Sequence, residues 1–214
     1  MNNGLFDSTI FAPATGNGGA ITVIRVSGTQ AIALTDALFT PASGNPLADA
    51  AGYTLHYGSI RREERIIDDV VVSVFRAPAS YTGEDSTEIS CHASAYIVSK
   101  IMERLMDAGA VPAEAGEFTR RAFAAGKLTL SEAEAVGLLI DADTESRRRF
   151  SSRAVRGGLS EKLDALCAPL SDVLIALWAA IDYPEEDVGE TKAKEIADVL
   201  NSVLSKFPVA QIGK

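Results

Sequence analysis

Along the first half of the chain the apolar residues switch between a period of two and a helical period. Ala20-Ile-Thr-Val-Ile-Arg-Val26 predicts a strand, entered through Gly16-Asn-Gly-Gly19. In its second half Val23 and Arg25 alternate with Ile24 and Val26, so one face carries Arg25 toward solvent or a ligand. Ser27-Gly28 ends it, and Gln30 to Leu38 predicts a short helix with apolar positions 31, 34, 37 and 38. Pro41 to Pro46 reads as a loop by composition. Tyr53–Ile60 and Ile67–Phe75 predict two strands joined by the charged link Arg61–Arg65, as in an antiparallel hairpin. Pro78 stops this series, and Ser80–Asp85 is a loop in which Gly83 is free to take positive φ. Thr87–Cys91 predicts one more short strand. A helix follows from about Ser94 to Ala108, with Ile97, Val98, Ile101, Leu105 and Met106 as its buried stripe and Gly109 as its stop. Pro112–Gly116 breaks the chain before a short helical segment through Phe123.

From Thr129 onward only the helical period remains. Leu130, Ala133, Val136 and Ile140 recur at helical spacing, as do Leu159, Leu163, Leu166 and Leu170, then Leu174, Leu177 and Ile181. Three helices are predicted between residues 130 and 182, with a break at Gly157-Gly158 and a kink at Pro169. Acidic Asp182–Glu190 reads as a linker, and Ala193–Phe207 as a last helix before the apolar tail Pro208–Lys214. The expected fold class is α+β: a mixed α/β domain over residues 1–125, then an all-helical domain over 126–214.

Composition narrows the functions. With 214 residues and 47% apolar residues the chain can bury a core. A net charge of −9 disfavours a broad nucleic-acid face, though not a local one. Cys91 and Cys167 lie too far apart in sequence for a disulfide framework, and Met1–Asp7 lacks the charge and apolar run of a secretory signal. No run of 18 apolar residues occurs. A cytoplasmic protein with no membrane partner is the expectation.

Two polar stretches carry the candidate chemistry: Tyr81-Thr-Gly-Glu-Asp-Ser-Thr-Glu88, closely followed by His92, and Gly116-Glu-Phe-Thr-Arg-Arg-Ala-Phe123. Glu84 and Glu88 can each accept two hydrogen bonds from a planar N–H/NH₂ edge, or simply cap and solvate a loop. Arg25 offers a planar fork to a carboxylate, or is an ordinary surface arginine. Arg121, between Thr119 and Phe123, can present a positive and aromatic wall, while Arg120 points elsewhere and Glu117 can orient the following loop. His92 can act as an acid or base, but one histidine beside one cysteine is too few ligands for a metal site. Adjacent strand residues face opposite ways, so Cys91 and His92 do not form a nucleophile–base pair. No residue is assigned as catalytic. Gly16-Asn-Gly-Gly19 precedes a strand instead of following one, and no Gly-x-x-x-x-Gly-Lys-Ser/Thr sequence occurs, so this chain alone is not expected to bind GTP or ATP. Arg147, Arg148, Arg149, Arg153 and Arg156 form the one basic cluster; pairing with acidic groups, such as Asp182–Glu190, is favoured over RNA phosphates because the net charge is negative.

Taken together, four segments resemble the tRNA uridine-5-carboxymethylaminomethyl modification GTPase family. They are Ala20–Gly28; Tyr81–Glu88 with His92; Gly116–Phe123 continuing through Gly126-Lys-Leu128 to Ala133-Glu-Ala135; and Ala180-Ile-Asp-Tyr-Pro-Glu-Glu-Asp187. Each is weak alone, and their order and spacing make the resemblance specific. It implies an N-terminal domain that dimerises and binds 5-formyltetrahydrofolate or a related folate, then a helical domain interrupted by a Ras-like GTPase domain. It further implies an FAD-dependent partner protein acting with the family on C5 of the wobble uridine of tRNA. GTP, potassium and magnesium would belong to the GTPase domain, before which this chain is expected to end. Carried over residue by residue, the resemblance assigns Arg25, Glu84, Glu88, Thr119 and Arg121 to the folate pocket. A glutamate would hold the pterin edge, and arginine would face the cofactor's carboxylates.

This chain also departs from the family. The usual His-Gly-Gly reads His92-Ala-Ser94, Pro-Gly-Glu-Phe reads Ala115-Gly-Glu-Phe118, and Leu-Asn-Gly-Lys reads Ala124-Ala-Gly-Lys127. Thr129, Glu132 and Leu138 replace the family's Asp, Gln and Asp. Ala125 and Leu138 cannot make the hydrogen bonds of the side chains they replace, which implies altered ligand use. Two competing functions are a non-catalytic dimerisation and docking scaffold with a degenerate pocket, and a stand-alone one-carbon transfer enzyme.

Overall fold

The computed structural model describes residues 7–16, 18–158, 160–182 and 193–206. Contacts divide the chain into two units, between residues 133 and 134.

The first unit is built on a seven-stranded sheet of order β3-β4-β5-β6-β2-β1-β7. Its strands are β1 (Ile10–Pro13), β2 (Ile21–Ser27), β3 (Phe39–Pro41), β4 (Thr54–Arg62), β5 (Arg65–Phe75), β6 (Ser86–His92) and β7 (Val111–Pro112). Every neighbouring pair is antiparallel except β1 with β7. Side chains alternate across a strand, so Ile24 and Val26 of β2 and Ile89 and Cys91 of β6 enter the core, where Phe11, Val70, Val72 and Val74 join them. Helices α1 (Ala31–Asp36) and α2 (Ala95–Asp107) contribute Ala31, Ile32, Ile101 and Leu105 to this core. Arg25, Ser27, Ser86 and Glu88 alternate with the core residues and face the other way. Helix α3 (Glu117–Ala124) brings Phe118 against Arg25 there.

The main strands and helices lie where the periodicity predicts, with informative differences. The expected link Arg61–Arg65 is mostly strand: only Glu63 and Glu64 connect β4 to β5, with Glu63 at φ 55° and a register shift at Ile60/Arg61. Met106 is 45% exposed, and Met102 packs on the core in its place. Position 102 follows Val98 by four residues and stays on the buried stripe, whereas 106 has rotated beyond it. Strands β1, β3 and β7 carry no sequence pattern of their own.

Two glycines shape the sheet's polar end. Gly28 closes β2 at φ +139°, where a Cβ would lie 2.7 Å from Thr9 Cα. Gly116, at φ 74°, turns the chain into α3.

The second unit is helical. α4 (Leu130–Ile140) enters it, followed by α5 (Glu145–Val155), α6 (Ser160–Asp182) and α7 (Ala193–Lys206), which packs on α6. Thr144 caps α5 by accepting from the Arg147 amide. The predicted break at Gly157-Gly158 separates α5 from α6, while Pro169 lies within a continuous α6. On α4 the structure buries Ala135, half-buries Ala133 and Val136, and leaves Leu130 and Ile140 exposed. The acidic linker beyond Asp182 and the tail Pro208–Lys214 lie outside the described residues. Among those residues, no helix is long and apolar enough to cross a membrane.

Candidate functional site

β2 and β6 run side by side with Arg25 opposite Glu88 and Ser27 opposite Ser86. Strand alternation sends all four side chains to the face away from the core. The 76–85 loop and α3 bring further groups to this face, and two linked clusters result.

The inner cluster is centred on Arg121, only 2% exposed. Its Nε and Nη2 donate to Glu117 Oε1 at 3.3 and 3.0 Å, and its Nη1 donates to Glu84 Oε1 at 3.2 Å and to the Ser8 carbonyl at 2.9 Å. Nη2 also donates to Ser8 Oγ at 3.2 Å. Ser27 Oγ donates to Glu84 Oε2 at 2.8 Å and shares a hydrogen bond with Thr82 Oγ1 at 2.7 Å. A guanidinium buried this deeply is tolerated because carboxylates and oxygens engage every nitrogen. Glu117 Oε2 accepts from the Glu114 amide at 2.8 Å, so Glu117 fixes the segment before α3 instead of the loop after it.

Burial pushes the Glu117 carboxyl upward. The Glu114 amide and Arg121, helped by the charge of Arg120, outweigh it, and the net pKa lies below the ordinary 4.5. A carboxylate depressed in the folded state contributes stability above its unfolded pKa and loses it as pH falls through the folded value. Stability is therefore expected to fall progressively once pH drops below 4.5. Glu117→Gln should flatten that acid limb in urea denaturation measured across pH, and an unchanged limb would contradict the assignment.

The outer cluster is half-buried. Arg25 Nε donates to Glu88 Oε1 at 2.9 Å, and the ion pair brings Nη2 within 2.8 Å of the same oxygen. The guanidinium carbon lies 5.2 Å from the Tyr81 ring centroid and 5.5 Å from that of Phe118. Tyr81 Oη shares a hydrogen bond with Thr119 Oγ1 at 2.9 Å, tying the loop to α3. Glu88 Oε2 and Arg25 Nη1 have no partner among the described residues. The cluster can therefore offer an acceptor and a donor that no described residue engages, with two aromatic rings against the guanidinium.

Of the sequence-predicted residues, Arg25 and Glu88 meet in the outer cluster, Thr119 anchors one of its walls, and Glu84 and Arg121 meet in the inner cluster. The aromatic wall belongs to Arg25 with Tyr81 and Phe118, not to Arg121 with Phe123, which turns away and is 43% exposed. Ser8 and Ser27 were not singled out by sequence reasoning; only Ser27, two residues beyond Arg25 on the same strand face, had a readable signal. Gly83 packs against Ala125 and Lys127, whose Nζ donates to the Pro78 carbonyl at 3.0 Å, so the diverged Ala124–Lys127 segment supports the loop bearing Glu84.

His92 stands at the opposite end of β6, paired with Asp68 through Nδ1 at 2.8 Å. Cys91 faces the core, and burial pushes its thiol up to about 11. At neutral pH that thiol is protonated and unreactive. Among the described residues no group of acidic, histidine and cysteine side chains could hold a metal.

The family comparisons cover nearly the whole chain. Residues 9–127 match the model described as the GTP-binding protein TrmE N-terminus, and residues 130–209 match the MnmE helical domain. Curated relatives named tRNA modification GTPase MnmE include one from Bacteroides fragilis, 45% identical over 203 residues that cover 93% of this chain and 44% of the relative. Another, from Carboxydothermus hydrogenoformans, is 41% identical over 93% of this chain and 45% of its own length. The chain thus spans about half the length of the relatives it matches. It belongs to the MnmE/TrmE family, of which it carries the N-terminal domain and the start of the helical domain.

Proposed function

We propose that this chain is the folate-binding, dimer-forming portion of a tRNA modification GTPase, and that its folate site is the outer cluster. The observation that carries this reading is the half-buried Arg25–Glu88 pair, whose Glu88 Oε2 accepts no hydrogen bond among the described residues, with the Tyr81 and Phe118 rings against the guanidinium. A pterin ring presents N–H and NH₂ donors next to a carbonyl acceptor on one flat edge, and a paired carboxylate and guanidinium complement that edge. Because Arg25 is tied to Glu88, both meet the same end of the ligand. On this reading Arg25 meets the pterin, whereas the resemblance alone turned arginine toward the cofactor's carboxylates. Glu84 and Arg121 hold the loop and α3 in register beneath the site, and Thr119 fixes the Tyr81 ring. When bound, 5-formyltetrahydrofolate supplies a one-carbon unit.

In the whole protein, this portion acts with an FAD-dependent partner on C5 of the wobble uridine in tRNA. GTP, potassium and magnesium belong to a GTPase domain of the longer relatives. The reading is tested by isothermal titration of the chain with 5-formyltetrahydrofolate. Saturable heat from one site per chain is expected. No heat, together with no displacement of a fluorescent folate at high micromolar ligand, would overturn it.

A further inference from the structure

At the junction of α5 and α6 the structure opens a cavity of about 490 Å³ lined by Arg148, Arg149, Arg153, Arg156 and Glu161. Four guanidinium groups thus face one carboxylate in a chain whose net charge is −9. Among the described residues three of the five arginines pair with acidic groups, and the pairing expected with Asp182–Glu190 lies mostly outside those residues. Arg147 pairs with Asp143 at 3.1 Å, while Arg148 and Arg149 share Glu145 at 2.8 and 2.7 Å. Hydrogen bonds from Arg148 and Arg149 hold the Glu145 carboxyl down at about 2. Arg153 and Arg156 have no ion-pair partner among the described residues, and both line the cavity. Their placement is structured. A Cβ at Gly158 would lie 2.8 Å from Arg153 Cγ and 3.2 Å from its Nε, so the glycine is what lets that side chain lie where it does.

We propose that Arg149, Arg153 and Arg156 form a ridge that binds consecutive backbone phosphates of an RNA strand, with Arg148 on its flank. Arg149 and Arg153, four apart on α5, are separated by about 6 Å along the axis, a rise comparable to the repeat of an extended sugar–phosphate backbone, and Arg156 follows three residues on at the helix end. Guanidinium forks bind phosphate oxygens bidentately, and two of these forks lack an ion-pair partner among the described residues. The choice of RNA over another polyanion rests on the tRNA reading above; the phosphate chemistry does not.

The test is fluorescence anisotropy of the full chain with a labelled single-stranded RNA across a salt series. The double variant R153Q/R156Q should lower the slope of log affinity against log salt by about 1.4 and weaken binding roughly 25-fold at 0.1 M salt, taking about 0.7 per phosphate contact for single strands. Gly158→Ala leaves the charge unchanged and should also weaken binding by displacing Arg153. Arg147→Gln, outside the cavity and already paired, should have a much smaller effect. Circular dichroism melts confirm that each variant folds. Unchanged binding by folded R153Q/R156Q overturns the proposal, as does an equal loss in R147Q, which would mark general charge attraction. Displacement of RNA by polyglutamate at matched charge would overturn it in favour of an acidic protein partner. Folate titration of the same variants reports on a different site, so failure here leaves the folate reading standing or falling by its own result.

Discussion

Replacement of Arg121 by alanine is expected to destabilise the chain by about 3–5 kcal/mol, the cost of leaving buried carboxylates without their counter-charge. The Arg121 side chain is 1% exposed and engages both Glu84 and Glu117, which are themselves 21% and 8% exposed. Removing it strands those two carboxylates along with Ser8. Domains of this kind have about 5–15 kcal/mol of stability in all, so the variant approaches the unfolding threshold. Urea denaturation of the full chain measures the loss. Methionine at 121 combined with Glu84→Gln and Glu117→Gln should recover much of it, because no charge is then left unpaired. A loss below about 1 kcal/mol in R121A would mean that the inner cluster does not organise this face.

Arg25→Ala should behave in the opposite way, with a large effect on ligand and a small one on folding. Arg25 and Glu88 are each 26% exposed, and solvent can satisfy much of what the substitution leaves behind. A loss of about 1 kcal/mol in stability is expected, from the ion pair and the contacts with Tyr81 and Phe118. Affinity for 5-formyltetrahydrofolate should fall at least tenfold, about 1.4 kcal/mol, because the donor for the pterin carbonyl is gone and Glu88 is no longer held in place. Arg25→Lys should restore the charge but little of the affinity, since an ammonium group has neither the fork nor the flat face that lies against the rings. Titration calorimetry and thermal melts on the same preparations separate the two effects. Equal losses in melting and binding would make Arg25 a structural residue only.

How far the chain could be read before its fold was known follows from where physical pattern resides. β2, β5, β6 and α2 are long enough for their period to show, and their burial follows it. β1 is four residues ending in Pro13, and β7 is two residues, Val111 and Pro112; their pairing is imposed by β2 and α2, not by local preference. The β4–β5 turn uses Glu63 at positive φ, where glycine or asparagine would have announced it. In the site, residue types were legible and partners were not. Glu84 and Glu88 sit four apart and read as one pair, yet each engages a different arginine. Those partnerships come from β2 and α3, far away in sequence. The flanking of Arg25 by Tyr81 and Phe118 has the same origin, a loop and a helix meeting over one strand. On the helical side the basic run was plain, and the pairing of Arg147, Arg148 and Arg149 follows from carboxylates three or four residues before them.

The structure of the chain with 5-formyltetrahydrofolate bound would decide the matter. The pterin should lie against Glu88 and Arg25, bordered by Tyr81 and Phe118, with Glu84 and Arg121 still bonded to each other beneath it. A ligand seated elsewhere with the Arg25–Glu88 pair untouched, or no ligand at saturating concentration, would contradict the proposed site.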